Sequence, residues 1–143
     1  MRLTTLTDFS LRLLIQLALR PSGRATIADV AQAYGVSENH LMKVAHQLGQ
    51  AGLVRTLRGR GGGLELARPA AEITAGEVVR RMEPDMALAP CFAGADCAIL
   101  PACRLKHALH AAREAFLAVL DATTLADLAQ PEAELRRLLN IAA

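Results

Sequence analysis

Three cysteines in the second half of the chain have side chains and spacing that could bind a metal. Cys91, Cys97 and Cys103 follow one another at C-x5-C-x5-C spacing. They lie in residues 90–103, a segment with two prolines, one glycine and no helical or strand period. Thiolates hold zinc ions or iron–sulfur clusters. Gaps of five residues are wide for the tight knuckle of structural zinc, whereas they suit a loop wrapped around a larger cluster.

Either kind of centre needs a fourth ligand, and the sequence has no fourth cysteine. The candidates are Asp8, Glu83, Asp85, Asp96 and His107. His107 lies about one helical turn after Cys103. A carboxylate oxygen matches iron–sulfur chemistry less well than a thiolate does, so it would leave an exchangeable position that suits a sensor. From the residues alone, the fourth ligand and the choice between zinc and a cluster stay open.

Composition predicts a helical protein of one modest domain or of a small domain with an appendage. Of the 143 residues, 52% are hydrophobic, mostly Ala and Leu, and only 3% are aromatic. The sequence has no apolar run approaching the roughly 18 residues of a membrane span, and its first residues lack the regions of a signal peptide. We therefore expect a cytoplasmic protein without membrane contact, whose reduced thiols bind metal rather than form disulfides.

The first half of the chain predicts a helix-turn-helix. Three helices are expected, over residues 6–20, 27–34 and 38–50. Thr7 is the expected N-cap of the first helix and Ser37 that of the third. Gly35 tolerates the left-handed backbone that the tight turn between the second and third helices needs.

A glycine-rich hairpin follows and predicts the wing of a winged helix. Residues 53–57 and 64–66 have strand character, and residues 58–63 between them read RGRGGG. A phosphate-binding nucleotide loop is the alternative, but that loop is followed by a helix rather than a strand. We therefore expect Arg58 and Arg60 to enter a minor groove or to contact phosphates.

Charge and helix position together predict binding to double-stranded DNA. Residues 1–70 carry nine Lys or Arg and four Asp or Glu, whereas residues 71–143 carry seven and ten. The first turns of the third helix should meet base edges. The residues expected there are Ser37, Asn39, His40 and Lys43. Asn39 suits adenine, and Lys43 suits guanine or phosphate; singly, each could also be a polar residue on a solvated face, and Ser37 suits a cap better than a base contact.

The second half predicts a long helix that pairs with a second copy of the chain. Thr74 should open a short helix through a capping box with Glu77, and a long helix is expected over residues 103–120. Its apolar stripe consists of Leu105, Leu109, Ala112, Phe116 and Val119 or Leu120. Pairing with a symmetry mate would cover this stripe, although a helix of the chain's own core remains the alternative.

These patterns predict a mainly α fold with a small β wing, in which a winged helix-turn-helix precedes a long dimerisation helix. The expected organisation is a DNA-binding domain over residues 1–82 and a cluster-binding loop over residues 83–103. A dimerisation helix and C-terminal segment should follow over residues 104–143.

The chain also resembles the NsrR-type, nitric-oxide-sensing repressors, which belong to a bacterial family of iron–sulfur winged-helix regulators. The motifs that carry the resemblance are LTDFSLRLL, GVSENHLMKVAHQLGQAGLV, RGRGGGLELARP, ITAGEVVRRMEPD, ILPACRLKHAL and TLADL. The resemblance implies a homodimer that binds a palindromic operator and represses nitric-oxide detoxification genes. It also implies that nitric oxide attacks the cluster and releases the protein from DNA.

For the metal centre, the resemblance implies an iron–sulfur cluster ligated by Cys91, Cys97 and Cys103. It favours the 4Fe–4S type over the 2Fe–2S type. It implies Asp8 as the fourth ligand, reaching from the partner chain. Related cluster-assembly regulators hold a 2Fe–2S centre with a histidine three residues after the last cysteine. Lys106 occupies that position here, which argues against the histidine-ligated type.

Other functional classes fit the sequence less well. An enzyme would need a catalytic arrangement such as Ser/His/Asp, which the spacing does not indicate, so we expect no enzymatic activity. An electron-transfer protein would need the cluster but not the wing. The remaining alternatives are a regulator with a 2Fe–2S cluster and a winged-helix repressor with structural zinc.

Overall fold

Helix α1, Thr5–Leu19, lies at the centre of the fold in the computed structural model, which describes residues 2–142. Residues 1 and 143, the outer bounds of the expected domains, lie outside the described residues. Thr4 has the extended backbone of an N-cap, and its hydroxyl accepts from the Thr7 backbone N–H at 3.3 Å. The prediction of Thr7 as the N-cap is therefore wrong, because Thr7 is buried inside the first turn.

The helix-turn-helix consists of α2, Ile27–Tyr34, and α3, Glu38–Gln50, as predicted. Thr26 and Asp29 form a capping box at the start of α2. Gly35 ends α2 with a φ of +64°, the left-handed conformation that glycine adopts without strain. Ser37 occupies the N-cap position of α3, but its side chain makes no capping hydrogen bond, so the expected side-chain cap does not form.

The sheet has three antiparallel strands in the order β1-β3-β2. Strands β2, Val54–Leu57, and β3, Gly63–Leu66, form the predicted wing hairpin. Strand β1, Arg24–Ala25, pairs with the other edge of β3. It was not predicted, because two residues are too few to show a strand period.

The core forms where α1 packs on the helix-turn-helix, the sheet and helix α4, Ala75–Met82. Its central side chains are all apolar and almost fully buried: Leu13, Leu14, Leu17, Val30, Leu41, Leu48, Leu53, Ile73 and Val78. Thr74 caps α4 by accepting from the Glu77 backbone N–H at 3.1 Å. The Glu77 carboxylate binds Arg68 at 2.7 Å, so only the Thr74 half of the expected capping box forms.

Helix α5, Arg104–Asp121, is long, and Leu117 is its only buried residue in the described chain. It crosses α4 at an Arg80–Asp121 ion pair. Two short helices follow, α6, Leu125–Leu128, and α7, Glu132–Leu138. They fold back on α1, where Arg136 Nε donates to the Leu19 carbonyl oxygen at 2.7 Å. Among residues 2–142, none of the helices combines the length and low polarity that crossing a bilayer requires.

Candidate DNA-reading surface and metal centre

The outer face of α3 carries a cluster of exposed side chains. Because residues advance by about 100° along a helix, positions 39, 42, 43 and 46 fall within an arc of about 100°. The residues there are Asn39, Met42, Lys43 and His46, and all four are exposed. The buried residues of α3 lie on the opposite side: Leu41, Val44 and Leu48. Burial of that side fixes which face α3 turns to solvent.

The predicted base-reading residues do not all share one environment. Asn39 and Lys43 line a surface hollow on α3. His40 is exposed but lies against Phe9 of α1, with ring centroids 6.3 Å apart. Met42, His46 and Gln47 also line the hollow and were not predicted. Their spacing from Asn39, which continues the same helical face, was the available signal.

The wing tip presents the two predicted arginines to solvent. Arg58 and Arg60 are exposed, and neither makes a salt bridge within residues 2–142. By contrast, Arg55 on β2 binds Glu65 at 2.9 Å. The turn depends on glycine, because a Cβ on Gly62 would overlap the carbonyl oxygen of Leu57. The tip is therefore compact and carries unpaired positive charge.

All three cysteines line one cavity of about 340 Å³. The segment between α4 and α5 folds around it through two short 3₁₀ turns, Pro90–Ala93 and Leu100–Ala102. Most of the remaining lining is apolar: Ala89, Pro90, Ala95, Ile99, Leu105 and Leu109, together with Asp96 and Lys106. The cavity is open to solvent, because Cys97 and several of the apolar lining residues are exposed.

Cys103 is held at the N-terminus of α5. The Lys106 backbone N–H donates to Cys103 Sγ at 3.4 Å, so the thiol occupies the N-cap position. This hydrogen bond fixes the position of the Cys103 Sγ atom at the start of the helix. Phe92 secures the other end of the segment by lying 5.4 Å from the Arg113 guanidinium and 6.0 Å from the Lys106 ammonium.

The three thiols are not arranged as ligands of a single metal ion. Within residues 2–142, no three Cys, His, Asp or Glu side chains lie close enough together to hold one metal ion. The cysteines instead stand apart around a shared cavity. Structural zinc needs ligands about 2.3 Å from one point, an arrangement that the described side chains do not have.

The candidate fourth ligands are distributed over different surfaces. Asp96 lines the cysteine cavity of its own chain, whereas Asp8 does not. Glu83 and Asp85 line a second cavity of about 570 Å³ beside Thr4. His107 is exposed on α5 and does not line the cysteine cavity.

Asp8 belongs instead to a chain of contacts between α1 and α2. Arg12 Nε binds the Asp8 carboxylate at 3.0 Å, and both side chains are 44% exposed. The Arg12 guanidinium also lies 5.6 Å from the centre of the Tyr34 ring, whose hydroxyl donates to the Arg12 carbonyl oxygen at 3.2 Å. Burial raises the pKa of Tyr34, and the Arg12 charge partly opposes the rise. Tyr34 therefore stays a neutral hydrogen-bond donor at the end of α2.

Comparison with known proteins agrees with this architecture. The model of the Rrf2 family, described as an iron-dependent transcriptional regulator, matches residues 3–131. The chain is 49% identical over 143 residues to the HTH-type transcriptional regulator NsrR of Geobacillus kaustophilus, covering 98% of this chain and 97% of that protein. It is 47% identical over 144 residues to NsrR of Bacillus subtilis, covering 99% of each.

A solved structure shares the fold as well. The global cysteine regulator CymR of B. subtilis superposes with a TM-score of 0.72 at 30% identity, covering 90% of this chain and 96% of that one. The family model spans most of the sequence, and the relatives match it almost from end to end. The chain belongs to the Rrf2 family of iron-dependent transcriptional regulators.

Proposed function

We propose that this chain is a DNA-binding transcriptional repressor that senses nitric oxide through an iron–sulfur cluster and releases its operator when the cluster is nitrosylated. The observation that carries the proposal is that one chain combines an exposed recognition helix and cationic wing with three cysteines around a single cavity. Because its partner would be the chromosome, the protein would act in the cytoplasm.

The DNA-binding half supports operator recognition. Lys43 on α3 is exposed, as are Arg58 and Arg60 at the wing tip. Charges that are not neutralised within the protein can release counterions from DNA when they contact phosphates. Asn39 and His40 stand in the first turns of α3, the part of a recognition helix that meets base edges. Ser37 occupies the N-cap position of the same helix.

The cysteine cavity supports cluster binding. Cys91, Cys97 and Cys103 would hold the cluster, with 4Fe–4S as the proposed type. When bound, the cluster supplies iron sites that react with nitric oxide. Cys103 Sγ accepts a hydrogen bond from the Lys106 backbone N–H at the start of α5. Phe92 fixes the segment that carries Cys91, and most of the remaining lining is apolar.

Asp8 is the proposed fourth ligand, contributed by the partner chain. Its half-exposed carboxylate is available at the surface of α1, where Arg12 is its present partner. We propose that Asp8 binds iron in the cluster-loaded protein and turns to Arg12 when the cluster is lost. Because Arg12 also contacts Tyr34, the residue before the helix-turn-helix turn, this exchange would reach α3. Coupling of about 1–3 kcal/mol would change operator affinity roughly 5–150-fold.

Pairing of two chains through α5 completes the proposal. Leu105 and Val119 are 64% and 67% exposed on this helix, so these two members of its apolar stripe are left uncovered by their own chain. A two-fold dimer buries the same patch on both copies. It would also place one recognition helix at each half-site of a palindromic operator.

The proposal is tested by measuring iron and acid-labile sulfide in protein purified without oxygen. We expect about four of each per chain, for a 4Fe–4S cluster. About two of each per chain would indicate a 2Fe–2S cluster instead. Stoichiometric zinc without sulfide would overturn the nitric-oxide mechanism and leave DNA binding standing. A titration with nitric oxide should then weaken binding to operator DNA in step with loss of the cluster absorbance.

A further inference from the structure

Met42 is a large apolar side chain that stands in solvent on the reading face of α3. It is 52% exposed, although the opposite side of α3 is buried in the core. Its neighbours on the exposed arc, Asn39, Lys43 and His46, are all polar. An apolar side chain placed among polar readers is a feature that core packing does not explain.

Met42 borders two hollows in the protein surface. On one side Met42 lines the hollow with Asn39, Lys43 and His46. On the other it borders a second hollow formed with Ile27, Thr56 and Leu64. Met42, like His46, lines both hollows and so lies between the outer face of α3 and the base of the wing. Operator DNA that contacts both the helix and the wing would meet this surface.

Major-groove chemistry identifies what such a side chain can bind. Base edges there present hydrogen-bond donors and acceptors and one apolar group, the C5-methyl of thymine. Polar neighbours on the arc suit the donors and acceptors, whereas Met42 suits the methyl. Methionine is unbranched and flexible, so it can adapt to a small apolar target.

We propose that Met42 is a specificity-determining residue that contacts a thymine C5-methyl group in each half of the operator. The inference rests on the proposed function, because it requires that the chain bind DNA. It adds an apolar contact to the polar base readers predicted from the sequence.

The test removes the methyl group from the DNA rather than from the protein. The full-length, cluster-loaded protein first selects its duplex from a pool of random synthetic DNA, which contains no methylated cytosine. Each thymine of the selected duplex is then replaced by uracil, and the dissociation constant is measured. Loss of one buried methyl should weaken binding about fourfold for each half-site, at one thymine position per half-site.

Variants of the protein identify the residue that senses the methyl. Met42→Ala should bind thymine and uracil duplexes alike, so that the two changes fail to add, whereas Met42→Leu should keep most of the difference. Leu138→Ala is the matched control, because Leu138 on α7 is 60% exposed and lies outside the reading face. It should keep the full fourfold effect.

The outcomes separate the two proposals. If no duplex is enriched from the pool, the proposed DNA-binding function fails and this inference fails with it. If a duplex is bound but uracil has no effect at any position, only the role of Met42 is refuted. The same conclusion follows if Met42→Ala keeps the wild-type dependence on the methyl group.

Discussion

Gly76 of α4 lies directly against Asp121, the last residue of α5, and replacing it tests how tightly the two helices pack. Gly76 is buried in the first turn of α4. A Cβ added there would lie 2.8 Å from the Asp121 backbone nitrogen and would overlap the Asp121 carboxylate, which binds Arg80. The carboxylate could swing away, but the backbone of α5 cannot move without separating the two helices. Gly76→Ala should therefore destabilise the protein.

The magnitude follows from two opposing effects. Forcing an extra carbon into a filled site costs about 1–3 kcal/mol, whereas alanine favours a helix over glycine by about 1 kcal/mol. Gly49 on α3 provides the matched control, because a Cβ there meets nothing within 4 Å. Gly49→Ala should therefore show the helix preference alone. The free energies of unfolding of the two variants should differ by about 1–3 kcal/mol, with Gly76→Ala the less stable.

Urea unfolding followed by circular dichroism measures this difference directly. Both variants should unfold in one transition with the wild-type slope, so that the midpoints report stability. If Gly76→Ala is as stable as Gly49→Ala, or more stable, the reasoning is refuted. That result would mean that the α4–α5 contact has room for a methyl group. A changed slope for Gly49→Ala would remove it as a control, and the comparison would then be made with the wild-type protein.

Three further predictions follow from single contacts. Hydrogen bonds from Arg80 hold the pKa of Asp121 below its usual value of 3.8, so the pair stabilises the fold above about pH 4 and this stabilisation is lost as the pH falls through the lowered pKa. Asp121→Asn should flatten the acid side of a stability–pH profile, and an unchanged profile would contradict the pair. Asp8→Ala should make operator binding insensitive to nitric oxide in a mobility-shift titration, and full sensitivity would refute the proposed ligand exchange. Arg60→Ala should make the plot of log affinity against log salt less steep by about 0.9 for each protomer bound to the operator. Arg55→Ala should change the slope less, because Arg55 already binds Glu65, and equal changes would argue against a wing contact.

The elements that were predicted with their correct bounds depend on local signals. Helices α2 and α3 each have an apolar period, and Gly35 marks the turn between them. All of these signals lie within or next to the helices that they predict. The N-cap of α1 was missed because three threonines, Thr4, Thr5 and Thr7, suit the position by type. The interaction of Thr4 with Glu83, 79 residues away, helps to fix Thr4 in that position, and a local pattern does not show it.

The candidate site was predictable to a similar extent. The spacing of the cysteines predicted one shared site, and the three residues line one cavity. The contact of His40 with Phe9 was not predictable, because it depends on how α1 crosses α3. The role of Asp8 also lies beyond local patterns, since its own chain pairs it with Arg12 and the proposed ligation needs a second chain.

Helix α1 is the element that connects the cysteine segment with the outer face of α3. At its N-terminus, the Thr4 backbone N–H and hydroxyl both donate to the Glu83 carboxylate, at 2.8 and 3.1 Å. Glu83 ends α4 and begins the segment that leads to the cysteines. One turn further along α1, Phe9 lies against His40 of α3. A displacement of the cysteine segment that moves Glu83 must therefore either break two hydrogen bonds or carry the start of α1 with it, and a rigid helix would transmit that movement to the recognition helix.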